Sequence, residues 1–206
     1  KAKLIDIEHW GEVSWSSFEN AYYGCSAMRI SAKNEAPDLS GVTSMSYAFA
    51  GTPIKHVQDI GRWDVGNITN MSSMFLNATQ FNDDISTWQV QNVTDMSSMF
   101  AGAVAFNQPI GFWDVSSVNN MAFMFSGAAA FNQDLSPWQT GSVLYMNNMF
   151  AYAANFNQRI EEWNVSGVRT MAEMFAFATS FNQDISKWDV HNVRHMDNMF
   201  RGAAAF

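Results

Sequence analysis

The stretch FNQDISKWDVHNVRHMDNMF, residues 181–200, restates the stretch FNDDISTWQVQNVTDMSSMF, residues 81–100. Repetition at a fixed interval decides the architecture before any local propensity does. Tryptophan recurs every 25 residues at Trp63, Trp88, Trp113, Trp138, Trp163 and Trp188. One methionine column holds Met71, Met96, Met121, Met146, Met171 and Met196, and a second holds Met74, Met99, Met124, Met149, Met174 and Met199. Each of the latter precedes a phenylalanine, and a further column runs Phe81, Phe106, Phe131, Phe156, Phe181 and Phe206. Residues 57–206 are therefore six copies of a 25-residue unit without insertion or deletion.

Residues 1–56 read as an N-terminal cap holding two degenerate copies. The segment VTSMSYAFAGT, residues 42–52, keeps Met45 and Phe49 in their columns, whereas WSSFENAYYGCSAM, residues 15–28, keeps only the spacing. Cys25, the single cysteine, aligns with Ala78, Ala103 and Ala128, which makes it a small buried filler rather than a nucleophile. One cysteine provides neither a disulfide framework nor a thiolate metal site.

Within one unit, Val93, Met96, Met99, Phe100 and Ala103 are spaced as one face of an α-helix. The preceding position holds Asn67, Asn92, Ser117, Ser142, Gly167 or Asn192, all residue types that favour a helix N-cap. Gly102, Gly127 and Gly202 stand where such a helix would stop, but Tyr152 and Phe177 occupy the same column, so two helices must end differently. Ahead of the helix, the alternation Trp88-x-Val90 predicts a very short strand. A unit this small cannot close a core alone, while stacked units turn each column into an apolar ladder. The expectation is an α/β fold: a right-handed solenoid with short parallel strands on one face and short helices on the other.

The spacing Ile85-x-x-Trp88-x-Val90 looks like the strand signature of leucine-rich repeats. The whole unit, FNQDISKWDVHNVRHMDNMFRGA, resembles the BspA-like leucine-rich repeat surface proteins, with their 25-residue repeats, over about three quarters of the chain. That resemblance implies a bacterial secreted or cell-surface protein, a module of an adhesin, and it brings no catalytic residues with it.

Composition sets further bounds. The chain of 206 residues is 48% hydrophobic and carries a net charge of −8, so it can build a core and lacks the clustered cations that nucleic acid demands. No apolar run is long enough to span a bilayer, which excludes membrane insertion by this segment. The opening KAKLIDIEHW, without Met or an apolar signal core, reads as a mature form or an excised fragment. The last coil keeps Met196, Met199, Phe200 and Phe206 with no polar cap after them, so end-to-end self-association or continuation of the array is expected.

No nucleophile, base and acid set stands out, and neither does a phosphate loop, so the chain reads as non-enzymatic and free of cofactors. The tryptophan and methionine columns read as core. The asparagine column, Asn82, Asn107, Asn132, Asn157 and Asn182, reads as a ladder satisfying backbone groups. Calcium would need several carboxylates from one loop, and only Asn82-Asp83-Asp84 offers two together. His191 and His195, with Asp197 nearby, have a helical metal spacing, but His191 precedes the expected cap, and no metal site is assigned. Function then falls to the columns that vary. Phe112 with Asp114, beside Gln89 of the neighbouring coil, is the nearest approach to a sugar platform. On a helical wheel Phe123, Tyr145, Tyr152 and Phe177 converge, beside a basic area of Arg169, Arg194 and Arg201. The expected role is binding of a protein or peptide on a host or neighbouring cell surface. A glycan ligand and a purely structural spacer are the alternatives.

Overall fold

Two residues per coil decide what the chain becomes. In the computed structural model, which describes residues 6–206, Ser73 and Asn77 have φ of 56° and 55°, and the pattern recurs at Ser98 and Gly102, Asn148 and Tyr152, and Asn198 and Gly202. A left-handed residue every fourth position is incompatible with an α-helix. No α-helix forms among the described residues. Regular elements are confined to two strands, β1 (Asp6–Ile7) and β2 (Arg29–Ile30), paired in parallel, and one short 3-10 turn at Ile60–Arg62. The expected α/β leucine-rich-repeat solenoid, with its helical face, is thus overturned. Of the expected N-terminal cap, residues 1–5 lie outside the described residues.

The hydrogen bonds show what replaces the helix. The N–H groups of Met71, Ser73, Phe75 and Asn77 donate to the carbonyls of Asp95, Ser97, Met99 and Ala101 in the next coil, at 2.9, 2.7, 2.9 and 2.7 Å. Between them, Met74, Leu76 and Ala78 donate three residues back to Met71, Ser73 and Phe75, at 3.2, 3.1 and 2.9 Å. An α-helix would send every N–H four residues back. Here alternate donors close overlapping turns, and the others tie one coil to its neighbour. Ser73 and Asn77 occupy the third place of turns 71–74 and 75–78, where a type II turn needs positive φ. The expected Trp-x-Val strand is absent as well. Parallel pairing falls on one residue per coil, in the column Ser44, Asn70, Asp95, Asn120, Tyr145, Thr170 and His195.

The same turn pair occurs in the N-terminal segment, at Asn20 with Gly24 and at Tyr47 with Gly51, and is bonded coil to coil in the same way. Cys25 is half-buried and packs against the core.

Each apolar column forms a ladder. Phe75, Phe100, Phe125, Phe150, Phe175 and Phe200 stack with centroids 5.6–5.8 Å apart. Inside each coil a second ring lies close against the first, as Phe100 does on Phe106 at 3.9 Å. Tryptophan rings are buried, and their indole N–H groups reach back one coil. Trp88, Trp113, Trp138, Trp163 and Trp188 donate to the carbonyls of Ile60, Ile85, Ile110, Leu135 and Ile160 at 2.9–3.2 Å. Trp63, first of the column, has no such acceptor. Both methionine columns are buried as far as Met174, and at the last coil Met196 is 41% exposed.

Candidate functional site

Three of the six positions read as helix N-caps are cross-coil staples instead. The side-chain amides of Asn67, Asn92 and Asn192 donate to the carbonyls of Ser40, Gly66 and Ser166 in the preceding coil, at 3.2, 2.7 and 2.8 Å. The asparagine column on the other side forms a ladder. Asn82, Asn107, Asn132 and Asn157 each accept, through Oδ1, the backbone N–H of the next asparagine in the column at 2.8–2.9 Å. With these ladders and staples tying coil to coil, recognition is left to side chains that project from the stack.

Four aromatic residues take left-handed φ at a cost: Tyr47, at 55°, in the N-terminal segment, and three in the regular array. Tyr152 and Phe177 take φ of 60° and 58° in the column where Gly102, Gly127 and Gly202 stand, and Phe123 takes 61° in the other left-handed column. A bulky residue in this region is strained by about 1–2 kcal/mol. The Tyr152 and Phe177 rings stack at 4.8 Å and 12°, and the Arg201 guanidinium lies 5.5 Å from the Phe177 centroid. Gly202 makes room for this arrangement, since a Cβ there would run into the Phe177 ring. Phe123 and Tyr145 are exposed but make no ring contact with this pair among the described residues. The four-ring cluster drawn on a helical wheel therefore separates into one stacked pair and two single rings, because there is no helix to bring them to one side.

Phe112 is 92% exposed, the most exposed large apolar side chain described. It borders a shallow groove of 370 Å³ with Trp113, Asp114, Ser116, Pro137 and Gln139. Gln139 of the following coil lines this groove; the expected neighbour Gln89 does not. Asp114 accepts bonds from the Ser116 hydroxyl and backbone N–H, which hold its carboxyl below the usual aspartate range.

Arg169 and Arg194 line a deeper groove of 410 Å³ with Leu144, Gly167 and Asn192. Reading the sequence placed these arginines on a helix side and missed the groove. Its signal was Gly167, the bare position in a column otherwise held by Asn and Ser.

The acidic candidates have other partners. Asp83 Oδ1 sits 2.6 Å from His56 Nδ1, and its Oδ2 accepts the Val57 N–H at 2.6 Å. Asp84 folds back onto the Ser86 N–H at 2.9 Å, and Asn82 belongs to the ladder. These three side chains thus serve three different contacts. His191 and His195 each face an aspartate, Asp189 at 2.7 Å and Asp197 at 3.8 Å. Among the described residues no group of three or more His, Cys, Asp or Glu gathers in a metal-binding arrangement. No helix there is long and apolar enough to cross a membrane.

These features define a stacked-coil repeat protein, with a uniform turn-built core and side chains that vary along its flanks. Residues 16–138 and 130–206 match the family described as "Mycoplasma protein of unknown function, DUF285", and the chain belongs to that family. No curated protein and no solved structure matches it.

Proposed function

We propose that this chain is a non-catalytic recognition module that binds a protein or peptide, as part of a secreted or surface-exposed adhesion protein. The observation that carries the reading is the stacked pair Tyr152 and Phe177, held at left-handed φ where other coils of the array use glycine or asparagine. Backbone strain of this kind persists only where the surroundings enforce it, and it concentrates at functional sites. Aromatic rings with an arginine beside them are the side chains that dominate protein interfaces. The resemblance of the repeat to BspA-like surface proteins supports the cellular setting.

The test is surface plasmon resonance of the chain against purified extracellular-matrix proteins, run beside a glycan array. Binding to a protein that falls at least tenfold in a Tyr152→Ser, Phe177→Ser double variant is expected, an effect of about 1.4 kcal/mol or more. Protein binding indifferent to that variant would refute the aromatic site. Glycan binding lost in Phe112→Ala would favour the second reading, a carbohydrate-binding module, which the 92% exposed Phe112 ring and its groove support.

A further inference from the structure

The groove beside Arg169 and Arg194 lies apart from the stacked aromatic pair, and three observations give it a chemistry. First, the two arginines occupy the same column in adjacent coils, where Arg194 N–H donates to the Arg169 carbonyl at 2.8 Å. Like charges set side by side repel. Earlier coils carry Thr69, Thr94 and Asn119 in that column. Second, no carboxylate lies within ion-pair reach of either guanidinium among the described residues, on a chain of net charge −8. Lys187, by contrast, is paired with Glu162. Third, the groove exists because Gly167 lacks a side chain. Asn92 at the equivalent position covers the Gly66 carbonyl, whereas the Gly141 carbonyl receives no such bond. A Cβ at Gly167 would lie 3.5 Å from both the Gly141 and the Val143 oxygens, so these acceptors adjoin the groove where Gly167 lines it.

We infer that this groove binds an acidic segment of a partner peptide. Two guanidiniums present a fork of donors suited to a carboxylate. The backbone acceptors beside Gly167, unbonded within the chain, offer sites for N–H donors of the same ligand, and Leu144 supplies an apolar wall. A peptide carrying Asp or Glu has both a carboxylate and N–H groups. A bare inorganic anion has only the charge, and the carbonyls beside Gly167 disfavour it. This inference rests on the reading of the chain as a peptide-recognition module and gives one partner segment its chemistry.

Fluorescence anisotropy of a labelled, N-acetylated hexaglutamate peptide tests it, with hexaglutamine and inorganic phosphate as comparisons. Hexaglutamate should bind, hexaglutamine should not, and added salt should weaken the complex. Arg169→Gln and Arg194→Gln should each weaken binding about tenfold. Gly167→Asn should abolish it without lowering the melting temperature, because the new amide reaches the Gly141 carbonyl as Asn92 reaches Gly66. The Tyr152→Ser, Phe177→Ser double variant should bind hexaglutamate normally, so failure of the aromatic site and failure of this groove give different results. No hexaglutamate binding up to about 1 mM, a free energy near −4 kcal/mol, would overturn the inference. So would binding unchanged in Arg169→Gln with Arg194→Gln, or in Gly167→Asn. Equal competition by phosphate would overturn the assignment to a peptide.

Discussion

Tyr152 shows how a single residue can carry both strain and purpose. Its φ of 60° places it where L-residues with a Cβ are disfavoured, and its ring is stacked on Phe177 at 4.8 Å. The two effects can be separated by substitution. Tyr152→Ala removes the stacking, worth about 0.5–1.5 kcal/mol, and keeps the left-handed strain. Tyr152→Gly removes both, since glycine enters this region without penalty. We expect the glycine variant to be more stable than the alanine variant by about 1 kcal/mol in urea melts. At a right-handed or extended position the order would invert, because glycine costs more backbone entropy than alanine. Alanine more stable than glycine would therefore refute the left-handed geometry at this residue. The same logic explains the column: Asn77, Gly102, Gly127 and Gly202 are residue types that accept positive φ, while Tyr152 and Phe177 are not. Their presence marks the two coils in which something other than backbone ease decided the residue.

At the scale of the coil, the core is set by side-chain columns and close backbone approach. Met99 is fully buried between neighbouring coils, and Met99→Ala should cost about 2–5 kcal/mol in denaturant melts, as large-to-small core changes do. Gly111 is constrained differently. A Cβ there would collide with the backbone carbonyl oxygen of Asp134 in the next coil, and that oxygen cannot shift without moving the coil. Gly111→Ala should cost about 1–3 kcal/mol. Gly66→Ala, whose Cβ would meet only the Asp64 side chain at 3.2 Å, should stay within about 0.5 kcal/mol. Equal losses at the two glycines would show that the coils are not packed this closely. The columns were legible in the sequence because identity at a 25-residue interval marks positions that pack on their own copies. The path of the chain between them was not. Val93, Met96, Met99, Phe100 and Ala103 have a spacing that fits a helix, yet overlapping four-residue turns bury the same side chains. Serine, asparagine and glycine at residues 73, 77, 98, 102, 148, 198 and 202 were the available signal, since they are turn formers tolerant of left-handed backbone. Read under a helical frame, the glycines looked like stops. The exposed aromatic residues are legible as individuals, but a helical wheel groups them on a helix that does not form, and only Tyr152 with Phe177 stands as a pair.

Over the whole molecule, each coil touches only its neighbours, so stability depends on every junction in the stack. The junction between the irregular N-terminal coils and the regular array, bonded backbone to backbone, is reinforced by Asp83, which takes the His56 ring at 2.6 Å and the Val57 N–H at 2.6 Å. The hydrogen bond to Asp83 raises the pKa of His56, while partial burial works against that rise. A raised value means that the folded chain binds the proton more tightly than the unfolded chain. The contribution is therefore complete below the ordinary imidazole value of about 6.5 and is lost as pH rises through the folded value. The His56 side chain is 62% exposed, so solvent screening limits the contribution to about 0.2–1 kcal/mol. His9, paired with Glu35 and also raised, shifts in the same direction, so the wild-type profile alone does not isolate His56. The comparison that does is His56→Gln against wild type, since glutamine keeps a donor for Asp83 but cannot titrate. Between pH 5.5 and pH 8.5, spanning that value of about 6.5, the stability advantage of wild type over His56→Gln should shrink, and 0.5 M salt should reduce the change. An advantage that is constant or grows with pH would show that the His56 and Asp83 contact does not tie these two parts of the stack together.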